Sequence, residues 1–257
     1  MDLGLKAQFL DQWAKHFPGA ELPITFYYTD DERRAELHPR PPTGSRSMPQ
    51  CVIGQLTRVR QGQSIALNVN SVGCFGGKRY LGFKAEIAPN FEYFLSCGIP
   101  GKMEGERYKR TPELVKELMR HAPPMKAPRQ CVVFKRWDFL EASDSPEVVI
   151  FFARPDVLAG LFTLANFDSA EPNGVCCPMG SGCAAIVQHP YLERNSSHPR
   201  AVLGMFDVSA RPFVPPDVLT FALPMIRFEA LVGYMDETFL ITEAWDRVRR
   251  RLPCVDE

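Results

Sequence analysis

At 257 residues the chain is long enough to bury a substantial core. Its 30 basic and 30 acidic side chains cancel, which removes the electrostatic surplus behind general phosphate-backbone binding and argues against nucleic acid as a partner. No stretch offers the roughly 20 apolar residues a membrane helix needs, and MDLGLKAQFLDQWAKHF, broken by Asp2, Lys6, Asp11 and Lys15, lacks a signal-peptide core, so a cytoplasmic protein is expected.

Leu5, Phe9 and Trp13, with Leu10 and Phe17 alongside, predict an amphipathic helix over about 3–17, stopped by Pro18 and Gly19. ITFYY (24–28) reads as a strand, and the Pro/Gly/Ser-rich LHPRPPTGSRSMPQ (37–50) as a long loop delivering the chain to Cys51. SIALNVNS (64–71) alternates Ile65, Leu67 and Val69 with smaller or polar residues, the period of a half-buried strand leading to Cys74. FEYFLSCGIPG carries Cys97 into a turn. Thr111 then offers an N-cap, with Pro112 and Glu113 at the favourable first positions of a helix.

QCVVF and EVVIFFA read as buried strands, the second followed by a helix at PDVLAGLF. VCCPMGSGCAAIVQHPYLE reads as a glycine-flanked loop entering a helix, and AVLGMFDVSA and VLTFAL as further strands. MIRFEALVGYMDETFLITEAWDRVRRRL supplies one or two closing helices. Strands and helices mix without regular βα alternation. The expected fold is therefore one α+β domain over 1–257 with a mixed sheet, and α/β is the second choice.

Eight cysteines are many for a reducing compartment, where disulfides are rare, and point to metal binding or thiol chemistry. Cys51, Cys74, Cys97 and Cys183 each have glycine within three residues and fall at junctions between a loop or strand and the next element. Glycine permits close backbone approach, and free N–H groups at a helix start stabilise negative sulfur. No pair among these four shows the C-x(2–4)-C spacing of structural zinc sites or the close ferredoxin runs. Spacing alone therefore selects no metal, and a cluster gathered from four separate loops remains allowed, because softness and ligand count select iron–sulfur as readily as zinc. In the adjacent pair Cys176 and Cys177, at most one would bind a given iron. Cys131, opening an apolar strand, and Cys254, in the C-terminal tail, read as packing residues.

CVIGQLTRVRQGQSIALNVNSVGCFGGKRYLGF, FEYFLSCGIPGKMEGERYKR, PMGSGCAAIVQHPYLE and RAVLGMFDVSARPFVPPDVLTFALPMIRFEALV together resemble the DUF169 family of uncharacterised prokaryotic proteins, also labelled ArCR, from about residue 45 to the end. The resemblance implies that Cys51, Cys74 and Cys183 occupy family cysteine positions and that Cys97 belongs to a subset; Cys176 and Cys177 stand where the family has apolar or small residues. It supplies no activity.

The leading expectation is a cytoplasmic iron–sulfur protein, redox or small-molecule related, with Cys51, Cys74, Cys97 and Cys183 ligating a [4Fe–4S] cluster. Lys78, Arg79 and Arg211 would be cluster-facing or ligand-binding cations, with a small anionic ligand and a redox partner protein as possible partners. By strand alternation Asp207, Ser209 and Arg211 share one side. One alternative is a zinc-stabilised module that binds a small anion. Another is a thiol enzyme using Cys177 or Cys183.

Overall fold

A computed structural model describes residues 1–39, 51–121 and 125–252. Helix α1 (Leu3–His16) opens on Asp2, whose Oδ1 accepts the Gly4 N–H at 2.7 Å, and buries Phe9 and Trp13 as their spacing predicts, with Phe17 buried at its C-cap. The strands are β1 (Ile24–Thr29), β2 (Ile65–Asn68), β3 (Cys131–Arg136), β4 (Val148–Ala153), β5 (Val175–Cys176), β6 (Ala201–Gly204) and β7 (Leu219–Pro224). They form a seven-stranded sheet in the order β2-β3-β1-β4-β7-β6-β5, antiparallel except for the parallel β5–β6 pair. This mixed sheet with helices outside a βα repeat is the α+β class expected.

Both faces of the sheet are covered, which is why VVIFFA reads as a continuous apolar run. In β4, Val148, Ile150 and Phe152 join one core, while Val149, Phe151 and Ala153 join the other. The second core is closed by α1, α6 (Pro155–Leu164), α8 (Met225–Tyr234) and α9 (Glu243–Arg249), with Trp137 against Phe9 and Phe228. The single closing segment of sequence thus resolves into two helices. The first core packs under α2 (Val52–Arg60), through Val52, Ile53, Leu56 and Val59, and under a π-helical segment, Ala184–Gln188, that continues into α7 (His189–Glu193). A Cβ at Gly204 of β6 would lie 2.4 Å from Ala185 Cβ. Glycine there lets the π segment sit directly on the sheet.

Three short helices follow β2: α3 (Phe75–Tyr80), α4 (Phe91–Phe94) and α5 (Pro112–His121). Thr111 caps α5 as expected, its Oγ1 accepting from Leu114 N–H at 3.3 Å. Two expectations change. β2 ends at Asn68, because the Asn68 and Ser71 side chains hydrogen-bond local backbone and turn the chain. β6 ends at Gly204, because Met205 adopts φ 71°, so Asp207, Ser209 and Arg211 lie on a turn rather than alternating along a strand. The loop expected over 37–50 falls mostly outside the described residues, as does Cys254.

Candidate functional site

Three of the four glycine-flanked cysteines stand at the starts of helical segments on the first-core side. Cys51 is the N-cap of α2, and Cys74 is the N-cap of α3, its Sγ accepting the Gly77 N–H at 3.0 Å. Cys183 immediately precedes the π segment, in a turn opened by Ser181, whose Oγ accepts from Ala184 N–H at 3.2 Å. π-helical turns recur where a helix is adapted to a functional group.

Glycines hold the three starts together. A Cβ at Gly77 would meet Val52 Cγ2 at 3.1 Å and Cys74 Sγ at 2.9 Å, and one at Gly182 would meet Ile53 Cγ1 and Ala210 Cβ, each at 3.1 Å. The segments carrying Cys74 and Cys183 therefore both press on the first turn of α2. Electrostatics report the same grouping. Burial pushes the Cys183 thiol well above the usual thiol range, and Cys74, Cys51 and Asp207 push it further. Burial likewise raises Cys74, the Gly77 N–H opposes it, Cys51 adds to the rise and Lys78 counters it. Without a bound cation, Cys74 and Cys183 therefore stay protonated at neutral pH.

Asp207 completes the frame. Its Oδ2 accepts the Gly182 N–H at 2.9 Å, and its Oδ1 accepts the Ser209 N–H and hydroxyl at 3.0 and 2.8 Å. The Tyr108 hydroxyl also accepts from Ser209 N–H, at 3.1 Å, tying the segment after Cys97 to this turn.

The remaining candidates divide. Arg79 is buried; its Nη1 donates to Ala85 O, its Nε has no partner, and it forms no ion pair among the described residues. Tyr80, next along α3, lies within electrostatic reach of both Arg79 and Cys183. Arg211 is spent elsewhere, clamping its own loop by donating to the carbonyls of Pro215, Pro216 and Val218. Lys78 is half-buried and acts on Cys74.

Cys97 is exposed on its own loop, with its thiol against Gly98 O. The glycines around it serve a chain crossing: a Cβ at Gly105 would lie 2.2 Å from Ser96 O and 2.3 Å from Gly98 N. Burial raises the Cys176 thiol, Arg200 counters the rise, and Glu193 and Cys177 add to it. Burial raises Cys177 and Cys183, the opposite of what an activated nucleophile needs. Cys131 is buried and donates to Thr29 O at 2.9 Å, as a packing residue. Among the described residues no group of three or more His, Cys, Asp or Glu side chains stands already arranged to hold a metal ion.

Sequence reasoning missed Gln55 and Phe213 in the wall beside Cys51. Gln55 was within reach of pattern reading, since i and i+4 share a helix face. Phe213 was not, because it arrives from a distant loop.

This is an α+β protein with a mixed sheet and three cysteines gathered at helix starts on one of its faces. The sequence profile of the DUF169 family, described as Uncharacterised ArCR, matches residues 20–233, and the chain belongs to that family. The match begins earlier than the motifs alone suggest, at the approach to β1. No curated protein and no solved structure matches the chain.

Proposed function

We propose that the protein is an iron–sulfur protein in which Cys51, Cys74 and Cys183 hold a [4Fe–4S] cluster, leaving one iron for a small molecule. The observation that carries this reading is the grouping of three thiols at three helix starts, each thiolate within electrostatic reach of another. An all-sulfur donor set suits iron–sulfur chemistry, and N–H groups at helix starts stabilise anionic sulfur. The thiols do not stand already arranged for a metal ion, so cluster binding would require them to turn toward one another from their helix starts. Arg79 supports the assignment. A buried guanidinium without a carboxylate partner is costly, and an anionic thiolate-ligated cluster would supply the missing charge.

This reading takes three ligands rather than four, because Cys97 is exposed on its own loop. An iron without a protein thiolate favours small-molecule chemistry over simple electron transfer. A reducing cytoplasm suits free thiols of this kind; among the described residues no helix is long and apolar enough to cross a membrane. Anaerobic purification tests the reading: brown protein containing iron and acid-labile sulfide, kept in Cys97→Ser, supports it. Colourless protein containing zinc would move the assignment to a zinc-stabilised module, and loss of iron in Cys97→Ser would restore a fourth thiolate.

A further inference from the structure

We propose that Asp207 is a positioning residue for Cys183: by accepting the Gly182 N–H, its carboxylate holds the turn that delivers this thiol toward the other two. The segment carrying Asp207 is built inside out. Phe206 and Val208 are 54% and 68% exposed, while the charged residue between them is half-buried and directed at the 181–183 turn. Apolar side chains in water around an inward carboxylate reverse the ordinary pattern of burial, and such departures collect at functional positions. The left-handed Met205, itself fully buried, produces the inversion by turning the chain directly after β6.

All three oxygens of Asp207 are spent on this joint. Oδ2 accepts the Gly182 N–H at 2.9 Å, Oδ1 accepts the Ser209 N–H and hydroxyl at 3.0 and 2.8 Å, and the carbonyl accepts the Ala210 and Arg211 N–H groups at 3.0 and 3.1 Å. Asp207 forms no ion pair among the described residues, so its carboxylate acts there as a hydrogen-bond acceptor, and a charged acceptor makes the stronger bond. Gly182 is buried between the Asp207 segment and α2, since a Cβ on it would stand 3.1 Å from both Ala210 Cβ and Ile53 Cγ1. Without Asp207 its N–H would be a buried donor lacking an acceptor, which is destabilising. Cys183 is the next residue, so whatever releases Gly182 releases the thiol.

What the thiol is positioned to hold rests on the iron–sulfur reading; the positioning itself does not, and it is tested in metal-free protein kept reduced with chelator. Iodoacetamide labelling resolved by mass spectrometry follows Cys183, with Cys131 on β3, also buried, as the internal control for general loosening. Asp207→Ala should speed Cys183 labelling about tenfold or more, through easier local opening once the buried N–H loses its acceptor, and leave Cys131 at the parent rate. Asp207→Asn keeps an acceptor oxygen for Gly182, its amide N–H₂ can donate to Ser209 Oγ, and Ser209 N–H retains the Tyr108 hydroxyl at 3.1 Å. Labelling should therefore return to within about threefold of the parent. Unchanged Cys183 labelling in Asp207→Ala, equal acceleration of Cys131, or Asp207→Asn labelling as fast as Asp207→Ala, which would make the charge rather than the acceptor responsible, would each overturn the proposal, whatever the iron content of the parent.

Discussion

Gly77 links the packing of the site to its chemistry, and Gly77→Ala tests that link. A Cβ at this position would lie 2.8 Å from Val72 Cγ1, 2.9 Å from Cys74 Sγ and 3.1 Å from Val52 Cγ2. Val72 and Val52 are fully buried, so two of the three neighbours have no solvent to move into. Overpacking of this kind costs about 1–3 kcal/mol. Alanine returns up to about 1 kcal/mol of helix propensity, and a net loss of up to about 2 kcal/mol remains. Gly76 next door is the control, since a Cβ there would meet the Tyr80 ring at 3.6 Å (Cε2) and 3.8 Å (Cδ2), both ordinary contacts. Gly76→Ala should therefore be neutral or stabilising by up to about 1 kcal/mol. Urea unfolding of the metal-free proteins reads the difference, which for a chain of this size corresponds to a gap of several degrees in Tm. Because Cys74 Sγ is one of the displaced atoms, Gly77→Ala should also bind less iron after anaerobic reconstitution. Equal stability of the two variants would refute the close approach of α3 to α2 on which the site is built.

Two further predictions concern buried titrating groups. Burial alone would raise Asp144, but hydrogen bonds from the Tyr27 hydroxyl and Glu141 N–H, and the Lys135 ammonium at 3.0 Å, hold its carboxyl below the usual range. Lys135→Met leaves that carboxylate buried without its cation and should cost about 3–5 kcal/mol at neutral pH. With a folded pKa below the unfolded one, this stability is present above about pH 4 and lost as pH falls through the folded value, so the gap between parent and Asp144→Asn in urea titrations should narrow toward pH 2. At the alkaline end burial pushes the Cys131 thiol up to about 11, helped by Glu32, Asp30 and Asp31. Raised above its unfolded value near 9, it contributes stability below about pH 9 that is lost as pH rises to about 11. Between those limits the parent should lose roughly 2 kcal/mol relative to Cys131→Ala, and parallel pH profiles for the two proteins would contradict this.

Much of this architecture is legible in the chain itself. The i, i+4, i+8 apolar spacing of Leu5, Phe9 and Trp13 marks α1, and the unbroken apolar run of 148–153 marks a strand buried on both faces. The junction positions of Cys51, Cys74 and Cys183 are legible too, because glycine beside cysteine at an element boundary carries a steric meaning. The same signal has a second reading at Cys97. There the glycines serve a backbone crossing, and spacing alone does not separate close approach for a thiol from close approach of two chain segments. Arg211 shows another limit of local pattern: the left-handed Met205 ends the strand early and turns the guanidinium onto loop carbonyls. Phe213 shows a third, since it reaches the wall beside Cys51 from a loop far along the chain.

The central claim is tested most directly by anaerobic reconstitution with ferrous iron and sulfide, followed by iron and acid-labile sulfide analysis of the parent and of Cys51→Ser, Cys74→Ser and Cys183→Ser. Serine keeps nearly the shape of cysteine but is a harder and far less acidic ligand, so each change should harm cluster binding much more than packing. The account predicts about four irons and four sulfides per parent chain, with most of both lost in each variant while urea midpoints stay close to the parent's. A parent that takes up no iron, or three variants that retain it like the parent, would contradict the account.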